Sequence, residues 1–365
     1  MIPILLAFLG FCALIVLHEL GHFSAAKAVG MRVEKFSLFF GRPLASVRPP
    51  NSETEYAIGW LPLGGYVRIT GMNPAEEIPP EHAHRAYYRM PVWKRIVVIA
   101  AGPAVNIAIA FLIIWALLLA NGRTTDQYVV SKQDLGQPAA RYLQPDDRIV
   151  SVDGVRGGPN RIARQIATHR CAGAQVDGCA AKTPARVVVE RDGALRTYEI
   201  TPRYDGARGI ERTRLGFSYG YGSASVGPAE AADLSVTGMW DVTKRTVSTF
   251  AKLFEARERK QLSGVVGTSE TLRQSFEFST TLALQVLALI SLSLAIINLF
   301  PFLPLDGGHI FWALVEKLRG GRPVPFSVME KAGMVGFVLV IMLFFIGLSN
   351  DIGRISDGTL GDIGR

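Results

Sequence analysis

The sequence predicts a polytopic α-helical membrane protein with about four transmembrane helices, a membrane-associated β element on the cytoplasmic side and one extracytoplasmic α/β domain. Three observations support this fold class. The chain of 365 residues is 49% hydrophobic and only 19% charged, which is too apolar for a soluble protein and too charged for one embedded throughout. Four long apolar windows are separated by charged segments, and a stretch of short β patterns lies between the second and the third window.

The four apolar windows cover residues 1–25, 96–120, 280–305 and 332–349. Each is long enough for an α-helix to cross the hydrocarbon core of a bilayer, which takes about 20 residues. A cleaved signal peptide is the alternative for the first window, but that window lacks a basic N-terminal region and an obvious cleavage site. We therefore expect a retained helix.

The windows and the segments between them define the predicted domain organisation. It comprises a first transmembrane helix at 1–30, a membrane-associated β region and cytoplasmic loop at 31–95, a second transmembrane helix at 96–122, an α/β domain at 123–205, a helical or interfacial linker at 206–279, a third transmembrane helix with a following helix at 280–318, a cytoplasmic loop at 319–331, a fourth transmembrane helix at 332–350 and a C-terminal tail at 351–365.

Lysine and arginine residues predict the orientation. Ten of them lie between Lys27 and Arg95, and four lie between Lys317 and Lys331. Short cytoplasmic loops carry such an excess, so these two connections are predicted to be cytoplasmic, with both termini and the α/β domain extracytoplasmic. The net charge of +8 is explained by basic residues that face anionic membrane lipid. No basic motif with interleaved aromatic residues predicts a nucleic-acid partner.

The first window contains the segment His18-Glu19-Leu20-Gly21-His22. On an α-helix, His18 and His22 are four residues apart, so both imidazoles project from one face and can share a zinc ion. Glu19 lies where a carboxylate can act as general base toward a water molecule on the metal. A chance match is the alternative, but ionisable side chains at membrane depth usually mark a functional site.

A catalytic zinc site needs a third protein ligand and one open position. Asp306 ends the third apolar window, which Pro301 and Pro304 interrupt. The backbone there is therefore predicted to be irregular at membrane depth, which is tolerated only where it lines a cavity in the protein. His309 and Glu316 are the competing candidates for the third ligand.

The segment from Met31 to Gly71 has the alternating pattern of short antiparallel strands near the cytoplasmic side of the membrane. An exposed sheet edge beside the zinc site could hold an extended polypeptide substrate by β-strand addition. A lid or a packing element is the alternative interpretation. The candidate substrate-binding residues are Gly64, Gly65, Tyr66, Val67, Arg68 and Ile69.

The extracytoplasmic region contains short β-rich runs, with turn signals at Asp153-Gly154 and Asp192-Gly193. Its segment 137–154 resembles the helix-turn-strand signature of bacterial PDZ domains, with departures that leave peptide binding and a size-filter role equally open. Cys171 and Cys179 lie in an apparent insertion, and their separation outside the cytoplasm predicts a local disulfide. Two free thiols or a second metal site are the alternatives.

Taken together, these motifs resemble the bacterial site-2 proteases, which are intramembrane zinc metalloproteases. The resemblance covers nearly the whole chain and is carried by segments 18–22, 63–67, 102–106 and 298–308 and by the PDZ-like domain. Two departures are minor: Leu303 replaces a common proline, and residues 264–267 read Gly-Val-Val-Gly instead of Gly-Pro-Val-Gly.

The resemblance implies a function and a set of site residues. It implies that His18, His22 and Asp306 bind zinc, that Glu19 is the base and that Asn298 steadies the substrate or the oxyanion. It further implies a bacterial inner-membrane enzyme whose partners are single-pass transmembrane proteins already trimmed by another protease, such as anti-sigma factors or remnant signal peptides.

A proteolytically inactive helix-binding protein and a zinc-dependent transporter are the alternatives from other functional classes. A transporter is expected to carry more polar residues in its spans, and the second and fourth apolar windows hold almost none apart from Asn106. An inactive homologue is expected to lack one of the four residues that carry the chemistry, and all four are present.

Overall fold

The computed structural model describes residues 2–72, 76–131, 136–207, 209–252, 255, 259 and 262–357. The chain divides into two compact units. The first unit combines Met1–Leu117 with Ala229–Arg365, and the second is Leu118–Pro228.

The first unit is mainly helical. Its elements are α1 (Ile2–Ala28), the paired strands β1 (Val33–Val47) and β2 (Glu55–Ile69), α2 (Val92–Asn121, which runs on into the second unit), α4 (Pro228–Ala251), α5 (Val265–Phe278), α6 (Thr280–Asn298), α7 (Asp306–Leu318) and α8 (Phe326–Ser356). Four of these helices, α1, α2, α6 and α8, are long and apolar enough to cross a membrane. The chain is therefore a polytopic membrane protein, in agreement with the sequence.

The helix bounds differ from the predicted spans at several points, and α8 also continues six residues beyond its predicted end at 350, to Ser356. The helices α2 and α8 begin several residues before the predicted spans, because charged first turns can extend a helix beyond the hydrocarbon core. The helix α6 ends at Asn298, short of the apolar window that continues to residue 305. The last part of that window instead forms the loop that leads to α7.

Glycines in α7 and α8 let the loop at 299–305 fold tightly against them. A Cβ at Gly308 would lie 2.6 Å from the carbonyl carbon of Phe302, and a Cβ at Gly336 would overlap the carbonyl of Leu303. The predicted irregular backbone before Asp306 is confirmed, and its residue Leu303 is buried, with its carbonyl group packed against Gly336 of α8.

The strands β1 and β2 form a small sheet whose register brings one segment to its edge. Residues 35–38 of β1 have two sets of Cα partners, namely 55–58 and 65–68 of β2. A strand has only two sides, so β1 occupies the middle and the segment 65–68 lies outside it. In the described part of the chain, no further strand pairs with that segment. Residues 65–68 therefore present a free backbone edge.

Apolar clusters join the helices of the first unit. One contains Ala7 and Leu14 of α1, Leu272 of α5 and Leu287 of α6. A Cβ at Gly10 would lie 3.0 Å from Leu287, so small residues let α1 and α6 approach closely. This packing fixes α1, the helix that carries both histidines.

Two polar residues of α8 hold the start of α5. The carboxylate of Asp351, which is 0% exposed, accepts hydrogen bonds from the backbone N–H groups of Gly264 (3.0 Å) and Gly267 (2.8 Å). The side-chain amide of Asn350 donates to the carbonyl oxygen of Leu262 at 2.9 Å. The first N–H groups of a helix lack partners within it, and here a neighbouring helix supplies one.

The second unit contains β3 (Arg123–Val130), β4 (Arg148–Val152), α3 (Pro159–Ile166), β5 (Ala185–Arg191), β6 (Ala194–Ile200), β7 (Arg203–Asp205), β8 (Arg212–Arg214) and β9 (Tyr219–Ala224). Strands β4, β5 and β6 form one sheet in that order, and β3 pairs with β9. The turn Asp192-Gly193 joins β5 to β6 with positive φ at both residues, as its sequence predicts.

The second unit extends beyond the predicted domain end at residue 205. It continues to Pro228, because β9 pairs with β3 and so ties the segment after 205 to the first strand of the unit. The predicted linker at 206–279 is therefore helical only from Pro228 onward. Cys171 and Cys179 form a disulfide, with Cα atoms 6.1 Å apart.

Candidate metal centre

The helix α1 places His18 and His22 on one face, as their spacing predicts. Their Nε2 atoms are 3.2 Å apart, and the ring centroids are 4.8 Å apart. Each residue is only 7% exposed. Both imidazoles therefore direct the same ring nitrogen toward one point inside the protein.

Asp306 meets the two histidines from the far end of the sequence. It is the first residue of α7, and its Oδ2 atom lies 3.3 Å from the Nε2 atom of each histidine. Within the described residues this buried oxygen makes no hydrogen bond of acceptable geometry. A cation bound between the three side chains would satisfy it, so the residues present fit a zinc ion.

A glycine in α2 keeps the space beside the imidazoles open. A Cβ at Gly102 would lie 2.8 Å from Nε2 of His18 and would also overlap the ring of His22. A Cβ at Gly21 would lie 2.7 Å from the carbonyl oxygen of Ala101. The absence of side chains at both positions lets α1 and α2 cross closely enough to form this pocket.

Two groups of α2 also contact the Nδ1 atoms of His18 and His22, which are the ring nitrogens that face away from Asp306. Nδ1 of His22 lies 2.9 Å from the carbonyl oxygen of Val98, an acceptor that requires a proton on Nδ1 and leaves the lone pair of Nε2 free. Nδ1 of His18 lies 3.2 Å from the side-chain amide of Asn106. Sequence reasoning gave Asn106 no role, although a lone amide in an apolar span is a signal of one.

Glu19 lies beside this group and also beside the β edge. Its side chain is half-buried, and a Cβ at Gly65 would lie 3.0 Å from the Cγ atom of Glu19. The predicted substrate-binding segment and the predicted base are therefore neighbours in space. Only a residue without a side chain fits comfortably between them.

A groove follows the same edge. It has a volume of about 480 Å³ and is lined by Tyr66, Val67, Arg68, Ile69, Met72 and Glu76. Four of the six predicted substrate-binding residues thus line one groove, while Gly65 lies against Glu19 and Gly64 is the preceding residue of the same strand.

The remaining candidates lie elsewhere. Asn298 is the last residue of α6, and its half-buried side chain makes no hydrogen bond to the described residues. Glu316 is paired with Arg95. Neither Glu316 nor His309 belongs to the group of candidate metal ligands found among the described residues, which is His18, His22 and Asp306.

Comparison with known proteins agrees with this geometry. The family model described as "Peptidase family M50" matches residues 6–343. The chain is 30% identical over 386 residues to "Zinc metalloprotease Rip1" of Mycobacterium tuberculosis, covering 93% of this chain and 94% of the relative. It is 26% identical over 436 residues to "Regulator of sigma-E protease RseP" of Salmonella typhimurium, covering 94% and 96% of the two chains.

The family match spans the histidine pair, the glycine of α2 and Asp306, so it includes every side chain of the candidate metal centre. The predicted resemblance to the site-2 proteases is confirmed. The chain belongs to peptidase family M50 and is a zinc metalloprotease.

Proposed function

We propose that this zinc metalloprotease cleaves peptide bonds within the transmembrane segments of single-pass membrane proteins. The observation that carries the proposal is the convergence of His18, His22 and Asp306 within a membrane-spanning helix bundle. His18 and His22 lie well inside the apolar helix α1, so a substrate must bring its peptide bond into the membrane-spanning part of the protein to reach them.

In this proposal the side chains of His18, His22 and Asp306 would hold one zinc ion. When bound there, zinc would supply Lewis-acid chemistry for the hydrolysis of a peptide bond. The burial of His18 and His22, each 7% exposed, holds their ring nitrogens in a fixed arrangement.

Glu19 serves as the general base. Its carboxylate lies next to His18 in the chain, accepts the proton of the attacking water and passes a proton to the leaving amine. Asn298 supplies a hydrogen-bond donor toward the oxyanion, because its amide has no competing partner in the described part of the chain. The position of Gly65 beside Glu19 brings a substrate strand on the β edge close to this base.

The substrate helix must unwind before cleavage, because an α-helix engages its carbonyl groups in hydrogen bonds to the N–H groups four residues further on. The free edge at 65–68 replaces those bonds by pairing with the unwound strand. The groove lined by Tyr66 and Arg68 then receives substrate side chains.

The second unit is proposed to be a PDZ-like domain on the extracytoplasmic side of a bacterial inner membrane, with both termini on the same side. The basic connections after α1 and before α8 support this topology. In that position the domain either binds a peptide or excludes substrates that another protease has not yet trimmed. Because one relative is named "Regulator of sigma-E protease RseP", anti-sigma factors are a substrate class to test alongside remnant signal peptides.

The experiment compares the detergent-solubilised wild type with Glu19→Gln on a model transmembrane substrate, with the zinc content of each protein measured. We expect about one zinc per chain in both proteins and a loss of cleavage of at least ~100-fold in the variant, as for removal of a general base. Glu330→Gln, which removes an exposed carboxylate of α8, is the matched control. Full activity of Glu19→Gln would exclude Glu19 as the base, and wild-type protein that folds without binding zinc would exclude the metal centre.

A further inference from the structure

We infer that Asn106 is a positioning residue that accepts a hydrogen bond from Nδ1–H of His18 and so directs the Nε2 lone pair of His18 at the metal. The inference rests on the proposed zinc site of His18, His22 and Asp306. It assigns to Asn106 a specific atom, its side-chain carbonyl oxygen, and a specific effect on one ligand.

The first step is the tautomer of His18. A neutral imidazole has one protonated nitrogen and one nitrogen with a free lone pair. Nε2 of His18 faces Asp306 and His22, at 3.3 Å and 3.2 Å, so Nε2 is the nitrogen that can bind the metal. The proton must then be on Nδ1, and a buried N–H group needs an acceptor.

The second step identifies that acceptor. The side-chain amide of Asn106 is the group found at hydrogen-bond distance from Nδ1 of His18, at 3.2 Å. An amide NH2 group facing a protonated nitrogen would make no bond, whereas the amide oxygen would. The two ends of an amide have nearly the same shape and exchange by a half-turn of the side chain, so the histidine determines which end faces it.

The third step is that no other group among the described residues holds the Asn106 amide with its NH2 end toward His18. The end of the Asn106 amide that does not face His18 is buried without a hydrogen-bond partner. The half-turn that presents the oxygen to His18 therefore breaks no hydrogen bond among the described residues. His22 provides an internal precedent, because its Nδ1 meets the carbonyl oxygen of Val98 at 2.9 Å.

The backbone of Asn106 is itself held in place. The hydroxyl of Ser291 in α6 donates to the carbonyl oxygen of Asn106 at 2.9 Å, and Asn106 is 0% exposed. The amide thus lies fixed between α1 and α6. A buried amide in a membrane-spanning helix is unfavourable unless its hydrogen bonds are used, which is consistent with a role toward His18.

The experiment measures zinc affinity by competition with a fluorescent chelator in full-length protein. Asn106→Leu keeps the approximate shape but removes the acceptor, and we expect zinc binding to weaken by about 10- to 100-fold, as for loss of other groups that orient metal-bound histidines. Asn106→Asp keeps an acceptor and should stay within a few-fold of the wild type. Ser235→Ala is the matched control and should not change zinc affinity, because the buried hydroxyl of Ser235 in α4 donates to the carbonyl oxygen of Ala231 in the same helix.

Nuclear magnetic resonance of protein with ¹⁵N-labelled histidine gives a second measurement. Its Nδ1–H signals would not change if Asn106 only contributed to packing. In zinc-loaded protein the Nδ1–H proton signal of His18 should shift downfield in Asn106→Asp, because a carboxylate is a stronger acceptor, while the signal of His22 stays in place. An unchanged His18 signal would overturn the inference, including in the case where Asn106→Leu fails to fold.

Further outcomes separate this inference from the proposed function. Wild-type zinc affinity in Asn106→Leu, or equal weakening in Asn106→Leu and Asn106→Asp, would overturn the role of Asn106 as acceptor while leaving the metal centre intact. Undiminished zinc binding in His18→Ala would instead show that the proposed ligand set is wrong.

Discussion

The guanidinium group of Arg95, near the start of α2, forms a bidentate ion pair with the carboxylate of Glu316, near the end of α7. Two hydrogen bonds join them, Nη1 to Oε2 at 2.9 Å and Nη2 to Oε1 at 2.5 Å, although the residues are 221 positions apart. Their side chains are only 9% and 16% exposed. Since Asp306 begins α7 and Gly102 lies in α2, the same two helices also meet at the metal centre, and this ion pair fixes their relative position.

Breaking this ion pair from one side is predicted to destabilise the protein. Arg95→Leu leaves the carboxylate of Glu316 buried without a partner, and such a loss costs about 3–5 kcal/mol of unfolding free energy. The double variant Arg95→Leu with Glu316→Leu should be more stable than either single variant, because no unpaired charge remains. Denaturant unfolding in detergent gives the unfolding free energy of the wild type, the two single variants and the double variant. Simple additivity of the two single effects would contradict the coupling between Arg95 and Glu316.

Filling the space beside the imidazoles is predicted to weaken zinc binding. Gly102→Ala places a methyl group within 3 Å of Nε2 of His18, so the rings must move. We expect a loss of zinc affinity of at least ~10-fold, with a matching loss of cleavage. Gly238→Ala is the control, because a Cβ at this helical glycine of α4 meets nothing within 4 Å of it. Equal zinc affinity in the two variants would show that zinc is not bound by the histidines next to Gly102.

The β edge is predicted to contact the substrate near its scissile bond. In a Glu19→Gln background with Cys12 replaced by Ser, Tyr66→Cys should form a disulfide with a cysteine placed next to the cleavage site of a model substrate. Leu195→Cys, at an exposed position of the second unit, is the control and should give no such product. Gel electrophoresis without reductant detects the cross-linked pair. Equal yields at the two positions would argue against strand addition at this edge.

Removing the carboxylate of Asp351 is predicted to destabilise the first unit. Asp351→Ala leaves the backbone N–H groups of Gly264 and Gly267 without their acceptor, at a cost of about 1–3 kcal/mol for a buried unsatisfied group. Asp357→Ala removes an exposed carboxylate at the end of the same helix and should change stability by less than about 0.5 kcal/mol. Thermal unfolding of the two variants compares them directly, and equal melting temperatures would contradict the role of Asp351.

The local part of the site could be predicted from the sequence. The four-residue spacing of His18 and His22 determines a shared helix face, and the prolines before Asp306 predict a break in the helix. The four membrane-spanning helices also follow from composition alone, because the bilayer requires long apolar runs.

The residues that connect distant elements could not be predicted in the same way. Arg95 and Glu316, or Asp351 and Gly264, are paired only by tertiary packing, and a single charged residue in a sequence does not indicate its partner. The same limit explains the misplaced end of the α/β domain. The strand β9 contains the sequence Tyr-Gly-Tyr-Gly-Ser-Ala, which lacks an apolar alternation, and its partner β3 begins 96 residues before it (219 minus 123).

The third proposed zinc ligand, Asp306, follows the second, His22, by 284 residues in the chain. A ribosome that adds 5–20 residues per second needs on the order of 15 to 60 seconds to make this stretch. During that interval the nascent chain carries only a histidine pair and its neighbouring glutamate. With this proposed ligand set, the nascent chain lacks a complete zinc site, and so cannot hydrolyse a peptide bond, until nearly all of its own helices have been synthesised.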